Sequence, residues 1–478
     1  MQAKVPSLAR SAASRRSRLR RRGSVVLVVL WAIAIAAVIV AATQLIAFRT
    51  ATMGREAVAR VQARWAARAG IEETIAVLEY HTETPNADDA LALHRDAEAV
   101  ADGTLVSGTW SIRHTQDGIE KPGPQDESAK ANINLMQRAQ LLEIPNMTFD
   151  VADSIIDWRD ADSEVSGMGA ERDFYFNRNM PYEPRNANFR SVAELELVVG
   201  AWPEYVRGED ANLNGRLDPN ENDGALTLPN DNADGLLDTG WSGRFTAYTT
   251  VGTIGASGEP KLYLKEATTE EITTRFGVDS LQARTLSAYF KTPNASLEAL
   301  LVTDLTTLAQ GGTNSGGGAR SGSGRSSGRS SAGAGGSSQA GTNRNAAAAT
   351  PLSQEQLRQI FREGILNDPK TPAPGKVNVN TAPREVLVDV LGIDSFVVDQ
   401  IMNHRAAHPE GYSSIVDIGS DRIGGQALAA LARDLDVTSN VFTITSRGRA
   451  QATGLEVEIT VVVDRSTLPA RILEYREQ

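Results

Sequence analysis

Residues 25–48 read VVLVVLWAIAIAAVIVAATQLIAF, a run of 24 residues without a charged side chain. As a helix with a rise of about 1.5 Å per residue, this run exceeds the roughly 30 Å hydrocarbon layer of a membrane. Eight basic residues and no acidic residue precede Gly23, so the positive-inside rule predicts a cytoplasmic N-terminus. A single membrane-spanning helix is therefore expected. The alternative is a cleaved secretory signal, whose apolar core should have only about 7 to 15 residues.

The apolar pattern continues beyond the membrane run. Apolar residues recur at three- and four-residue steps or their multiples, with arginine and glutamate residues between them: Val58, Val61, Trp65, Ala69, Ile75 and Leu78. This spacing predicts that the membrane helix continues as an amphipathic helix to about residue 80 and that its apolar face packs on a folded domain.

Charge and cysteine content limit the possible functions. The 478-residue chain has a formal net charge of −11, and the part after Gly23 carries −19 because the eight basic residues precede it. This acidic balance disfavours phosphate backbones as partners and suits divalent cations. The chain has no cysteine, so disulfides, thiolate nucleophiles and cysteine-type zinc sites are excluded.

A short basic leader that ends in Arg22 and Gly23 before a long apolar helix resembles the type IV pilin and pseudopilin superfamily. The resemblance implies that a prepilin peptidase cuts after Gly23 and methylates the new N-terminal residue, Ser24. Most members have glutamate at the fifth mature position, where this chain has Val28, and K-type minor pseudopilins are the members that lack it. A subunit of this kind is expected at the tip of the filament rather than in its shaft.

Strand patterns frame the middle of the chain. They occur at residues 104–114, 245–253 and 441–464. We therefore expect an α+β fold: a long N-terminal transmembrane helix on a pilin-like antiparallel sheet, with an inserted, mainly α region of helix-hairpin-helix or SAM-like repeats. The predicted boundaries are a basic leader (1–23), a transmembrane and amphipathic helix (24–80), the start of the sheet (81–120), a first helical unit (121–200), a calcium-loop segment (201–243), a second helical unit with an entry strand (244–310), a disordered Gly/Ser-rich linker (311–350), a third helical unit (351–436) and C-terminal strands that complete the sheet (437–478).

The inserted region contains an internal repeat. The distance from lysine to hairpin glycine is 16 residues both from Lys261 to Gly277 and from Lys376 to Gly392, and a diverged third copy begins at Lys130. Each copy has the pattern of an extended entry, a capped helix, a tight turn and a second helix. We expect the apolar faces of these units to pack within and between copies.

Four short motifs, in their order and spacing, resemble the K-type minor pseudopilins of the type II secretion system. They are NINL (132–135), IDWRD (156–160), PYEPRN (181–186) and VNVNTAP (377–383). The resemblance implies a non-enzymatic subunit that caps the pseudopilus with other minor pseudopilins and acts in protein export across the outer membrane. It also implies prepilin peptidase as a partner, anchorage in the inner membrane with most of the chain in the periplasm, and calcium binding. The acidic charge, not the resemblance, leads us to expect no nucleic-acid partner.

Residues 210–221 match the twelve-residue calcium loop position by position. The predicted ligands are Asp210, Asn212, Asn214, the carbonyl of Arg216, Asp218 and the carboxylate of Glu221. Calcium takes six to eight oxygen ligands, and glycine at position six permits the sharp turn. The alternative is a cluster of Asn/Asp/Gly turns without a metal.

A second, incomplete copy of the loop follows at residues 230–241. Its predicted ligands are Asn230, Asn232, Asp234, the carbonyl of Leu236 and Asp238. Trp241 occupies the twelfth position, so we expect a weaker site unless another carboxylate, such as Asp223, completes it.

The sequence alone leaves two other functions possible. Helix-hairpin-helix units can bind DNA through a glycine hairpin, which would make the chain a membrane-tethered DNA receptor. Asp279 and Asp394 follow the hairpin glycines, however, and would repel phosphate. A calcium-loop adhesion or docking protein is the other alternative, and it predicts no processing after Gly23.

The sequence shows no catalytic constellation. Asp157, Asp160, Asp162 and Glu164 form a carboxylate cluster where a helix is expected to end. We interpret this cluster as a solvated or ion-paired acidic face. His404 and His408 have the spacing of a helical metal pair, but no third ligand is placed near them, and we expect surface histidines.

Overall fold

The computed structural model describes residues 16–178, 181–305, 307–308, 349–421 and 423–477. Its helices are α1 (Arg16–Glu83), α2 (Ala92–Ala99), α3 (Arg138–Leu142), α4 (Phe149–Arg159), α5 (Arg172–Phe176), α6 (Pro203–Arg207), α7 (Thr269–Phe276), α8 (Ser280–Phe290), α9 (Gln354–Glu363), α10 (Ser395–Ala407) and α11 (Gly425–Asp434). Its strands are β1 (Asp102–Leu105), β2 (Gly108–Gln116), β3 (Ile119–Pro122), β4 (Gln125–Asp126), β5 (Ala131–Asn132), β6 (Phe245–Thr246), β7 (Leu262–Tyr263), β8 (Gly364–Ile365), β9 (Val377–Asn378), β10 (Leu435–Asp436), β11 (Val441–Ala450), β12 (Glu456–Asp464) and β13 (Arg471–Glu477).

The main sheet has the strand order β1-β2-β11-β12-β13, with β3 paired to β2 and β4 paired to β11. All of these pairs are antiparallel. Strands from before and after the helical region thus join in one sheet, and α1 packs on it. The predicted α+β, pilin-like fold is confirmed.

Helix α1 contacts the sheet through small residues. Ala59, Ala63 and Ala67 are buried, whereas Val58 and Trp65 are each 58% exposed. The predicted packed face is therefore wrong for Val58, Val61 and Trp65. It is right for Leu78, which is buried, and Ala69 and Ile75 pack partly against the same core. A Cβ atom on Gly448 of β11 would lie 2.0 Å from the carbonyl oxygen of Ala63, so the helix and strand backbones approach too closely for a larger side chain.

The inserted region consists of units that are each closed by a short parallel strand pair, formed by one strand at the start of the unit and one at its end. In the described residues these pairs are β5 with β6, β7 with β8, and β9 with β10. The predicted strand at 245–253 is only two residues long, because Thr249 and Val251 hydrogen-bond to Gly375 and Ala373 instead.

The first and third units share one asparagine arrangement. Asn134 bonds to both the amide and the carbonyl of Phe189, and Asn380 bonds in the same way to Tyr412. The asparagine two residues earlier in each unit accepts a hydrogen bond from the amide of Asn134 or Asn380. These matched bonds show why both copies need an Asn-x-Asn sequence: each amide side chain ties the entry strand to the end of its unit.

The hairpins end helices with glycine and begin helices with aspartate. Gly277 and Gly392 have φ angles of 62° and 65°, the left-handed conformation that glycine adopts easily. Asp279 accepts hydrogen bonds from two amides of the first turn of α8, and Asp394 accepts one from the amide of Phe396 in α10. The carboxylates that follow the hairpin glycines therefore serve as N-caps, and the helix-hairpin-helix DNA interpretation gains no support from them.

The predicted first helix of the third unit is present, and residues Val386–Val390 within it form a π-helix. The Gly/Ser-rich stretch lies mostly outside the described residues, as do residues 1–15 of the leader.

Replacing Gly448 with alanine is expected to lower the free energy of unfolding by on the order of 3 kcal/mol, because the new methyl group meets the backbone of α1. Gly424→Ala is the matched control, since a Cβ atom there has no neighbour within 4 Å. The measurement is thermal unfolding of the detergent-solubilised chain by circular dichroism. Equal melting temperatures for the two variants would contradict the close-packing argument.

Candidate functional site

The first predicted calcium loop, residues 210–221, lies against the face of the sheet opposite α1. Successive strand residues point to opposite faces, so Arg447 points away from the helix that Gly448 contacts. Arg447 Nη2 lies 2.8 Å from Asp218 Oδ1 and 2.8 Å from Glu458 Oε2. Asn214 Nδ2 donates to Glu458 Oε1 at 2.9 Å. The loop is thereby held to β11 and β12 by charged groups.

Inside the loop, the predicted ligands converge through short hydrogen bonds. Asp210 accepts from the amides of Asn214 and Gly215, and Glu221 accepts from the amides of Ala211 and Asp218. Asn212 and Asn214 each donate to Asp218 Oδ2 at 3.0 Å. The side chain of Arg216 leaves the loop and donates to the carbonyl of Ser111, so only its backbone carbonyl remains as a candidate ligand.

Ionising the carboxylates of this loop costs free energy, because two of them are buried. Asp210 and Glu221 are 2% and 1% exposed. Burial, followed by the charge of Asp210, raises the pKa of Glu221 to about 7, and burial raises the pKa of Asp210. Burial also acts to raise the pKa of Asp218, but Arg447 outweighs it and holds that pKa below its usual value. The oxygen-rich donor set and the two destabilised carboxylates fit a hard divalent cation.

The second loop is exposed and is closed by a residue that sequence reasoning missed. Asn232, Asp234 and Asp238 are solvent-exposed, as are Asn230 and Leu236. Glu209 accepts hydrogen bonds from the amides of Asn232 and Asp238. In the first loop Glu221 also bonds to two amides, including that of position nine, which is the position of Asp238 in the second loop. Glu209 thus holds the second loop much as Glu221 holds the first.

Asp223, the carboxylate suggested from the sequence, bonds instead to the amide and hydroxyl of Thr227. Trp241, at the twelfth position, is buried and donates to the carbonyl of Pro145. Its packing in the first helical unit explains why that position carries no carboxylate. Only the proximity of Glu209 to Asp210 in the sequence could have signalled its role.

The predicted processing residues Gly23 and Ser24 lie in the first part of α1. They directly precede the apolar segment that begins at Val25, within the single described helix that is long and apolar enough to cross a membrane. In the isolated chain, the side chains of residues 25–50 are all exposed.

A long N-terminal helix that is apolar in its first half and packed on an antiparallel sheet in its second half defines a pilin-like protein. Residues 111–208 match the family model for the type II secretion system (T2SS), protein K. This match agrees with the resemblance to the K-type minor pseudopilins that the sequence motifs indicated.

Among solved structures, the chain is similar to the GspK-GspI-GspJ complex from the enterotoxigenic Escherichia coli type 2 secretion system. The identity is 12% and the TM-score is 0.42, over 89% of this chain and 99% of the matched chain. No curated protein matches this chain.

Replacing Arg447 with methionine is expected to lower the free energy of unfolding by on the order of 3 kcal/mol, because buried Glu458 and partly buried Asp218 would lose their cationic partner. Arg449→Met is the matched control: it removes the next arginine on the same face, whose pair with Glu456 spans 3.8 Å and is largely exposed. In the Arg449→Met control, the free energy of unfolding should fall by less than about 1 kcal/mol. Urea unfolding in the presence of a calcium chelator measures both, and similar losses would show that Arg447 does not hold the loop.

Proposed function

We propose that this chain is a minor pseudopilin at the tip of the type II secretion pseudopilus and acts without catalysis in protein export across the outer membrane. The match of residues 111–208 to the protein K family carries the proposal. The arrangement of α1 supports it, because a helix of this kind can anchor the chain in the inner membrane and pack against other pilin-like helices. The basic residues before Gly23 support a cytoplasmic N-terminus and a periplasmic domain.

Two features favour the tip over the shaft. The helical region inserted between β4 and β11 is much larger than the sheet that carries it, and a subunit of this bulk is hard to stack between identical neighbours. Val28 also replaces the glutamate that, in the resembling superfamily, is thought to meet the N-terminal amine of a neighbouring subunit. A subunit without that glutamate can end a filament.

The partners we propose are other minor pseudopilins, and α1 offers the surface for them. Val58, Val61 and Trp65 are more than half exposed on the part of α1 that follows the membrane segment. An apolar stripe on a helix that already packs on its own sheet favours further helix packing over solvent exposure.

Processing after Gly23 tests this function. We expect the protein from its own membranes to begin at methylated Ser24, and a Gly23→Leu variant to keep its leader and lose secretion. Gly54→Ala is the control, because Gly54 lies on the same helix with open space around it. N-terminal sequencing and intact mass measure the outcome. A natural start at Met1 or near Thr43 would contradict the pseudopilin assignment.

We also propose that the first loop binds calcium through Asp210, Asn212, Asn214, Asp218, Glu221 and the carbonyl of Arg216. The buried, mutually repelling carboxylates support this proposal, because a cation would remove the cost of ionising them. The second loop, with Asn232, Asp234, Asp238 and Glu209, is the candidate for a weaker site. Calcium would then stabilise the contact of both loops with the sheet and the first helical unit.

Calcium titration of the full chain in detergent tests this part. Glu221→Gln is expected to weaken the tightest calcium site at least tenfold and to remove most of the rise in melting temperature caused by calcium. Glu204→Gln, on the exposed side of α6, makes the same charge change outside the loop and should behave like the parent. Isothermal titration calorimetry measures affinity and stoichiometry. An unchanged tight site in Glu221→Gln would refute calcium binding by the first loop.

A further inference from the structure

Strand β13 is the last strand at one end of the main sheet. Among the described residues it pairs with β12 and with no other strand. A strand in this position leaves a row of backbone N–H and C=O groups free to pair with another chain. Its large apolar side chains are also open to solvent: Ile472 is 54% exposed, Leu473 46% and Tyr475 48%.

The usual protections of an edge strand are weak in β13. Its sequence, RILEYRE, contains neither lysine nor proline. A bulge between Val462 and Val463 disturbs the register near Leu473, but residues 474–477 pair with β12 without a further shift. This part of the edge is therefore regular enough to accept another strand.

The charged side chains of β13 are bound to other parts of the same chain. Arg471 pairs with Asp464 at 2.8 Å, Glu474 accepts from the hydroxyl of Tyr248, Arg476 donates to the carbonyls of Asn212 and Leu213, and Glu477 pairs with Arg64 at 2.9 Å. These contacts hold the strand in place. They also leave the apolar side chains as the main groups that β13 offers to a partner.

The exposed side chains of β13 continue the apolar stripe of α1. Tyr475 lies opposite Val461 and Ile472 lies opposite Val463, and both valines belong to the core beneath α1. Residues opposite each other in a strand pair point to the same face, so Tyr475 and Ile472 lie on the α1 side of the sheet. The pair of Arg64 with Glu477 joins β13 to the part of α1 that carries the exposed stripe.

The other outer strands of the sheet are poorer docking edges. Strand β1 has only four residues. Strand β3, which pairs with the second half of β2, also has four residues and contains Lys121 and Pro122, the residue types that commonly block edge pairing. The seven residues of β13 thus form the longest unprotected edge in the described sheet.

We propose that β13 accepts an extended strand from the sheet of a neighbouring minor pseudopilin, so that one antiparallel sheet continues across both subunits. This inference rests on the proposed function. A neighbour whose N-terminal helix packs on the stripe of α1 is anchored in the same membrane and carries its own sheet at the same height, beside β13. Backbone pairing would supply the affinity, and apolar residues at alternate positions of the added strand would contact Ile472 and Tyr475.

Lysine variants test the need for this edge. Ile472→Lys and Tyr475→Lys change exposed positions, so they should melt like the parent. The amount of other minor pseudopilins recovered with the chain from its own membranes should nevertheless fall at least about tenfold. Ile119→Lys is the matched control, because Ile119 is 56% exposed on β3 and the change is the same. Undiminished recovery with both Ile472→Lys and Tyr475→Lys overturns the proposal.

Cross-linking tests which part of the neighbour lies on the edge. Because the chain has no cysteine, a single Tyr475→Cys can be labelled with benzophenone maleimide, and mass spectrometry can identify the peptide joined to it on irradiation. We expect a peptide from a sheet strand of another pilin-like subunit. Val106→Cys, 99% exposed in the turn between β1 and β2, is the control and should give no such product.

Cross-links from position 475 only to a helix of the neighbour, or only to a second copy of this chain, would overturn strand pairing at β13. N-terminal sequencing of the same samples keeps this result separate from the proposed function. If the edge proposal is overturned in a chain that begins at methylated Ser24, the pseudopilin function still stands.

Discussion

Strand β2 pairs with β11 although residues 117–440 lie between them, and this pairing determines where every other part of the protein can go. Its register is set by residues 446–450 against residues 108–112. Because the free energy of closing a loop rises only slowly with its length, a large helical region can be inserted here at little additional entropic cost. The inserted region begins and ends beside the same strand, since β4 also pairs with β11. It is therefore anchored at its base, and its units pack outward from that base.

The two faces of the sheet therefore pack against different parts of the chain. One face receives α1 through alanine and glycine, and the close approach of the backbones requires small residues on both sides. The other face carries polar and charged residues, which in most small sheets would face solvent. Here Arg447 and Glu458 contact Asp218 and Asn214 of the first predicted loop. Helix α1 and the first loop, residues 210–221, thus pack on opposite faces of one layer of strands.

Buried carboxylates occur at two places in the helical region. Asp210 and Glu221 lie in the first loop, and Asp157 and Glu171 lie at and after the end of α4; among the described residues, no basic side chain forms an ion pair with any of these four. The sequence interpretation of a solvated or ion-paired face was therefore wrong for Asp157. A protein without disulfides can use divalent cations to close long irregular segments, because binding energy gained only in the folded state adds to stability. Residues 208–244 form a long and largely irregular segment, which is where such closure has the greatest effect.

The sequence by itself determined the features that depend on local spacing. It predicted the membrane helix from an uncharged run, the α+β class from the strand patterns, the resemblance to the protein K family from four motifs in order, and the fold of a first loop whose proposed ligands are close together in the chain. Short-range periodicity is enough for these, because neighbouring residues decide helix, strand and turn. The asparagine pairs of the first and third units were visible as a repeat, although their bonds to Phe189 and Tyr412 were not.

Only the tertiary structure decided which face of α1 packs, which carboxylate closes the second loop, and which acids gather at the end of α4. Val58 and Trp65 had the right spacing for a core face, but the close approach of Gly448 selected the alanines instead. Glu209 and Glu171 carry no distinguishing spacing, and their positions follow from how loops return to helix ends. Arg447 and Glu458 meet because a β-hairpin register places them opposite each other. Contacts between distant segments depend on packing and register, which no local pattern of residues specifies.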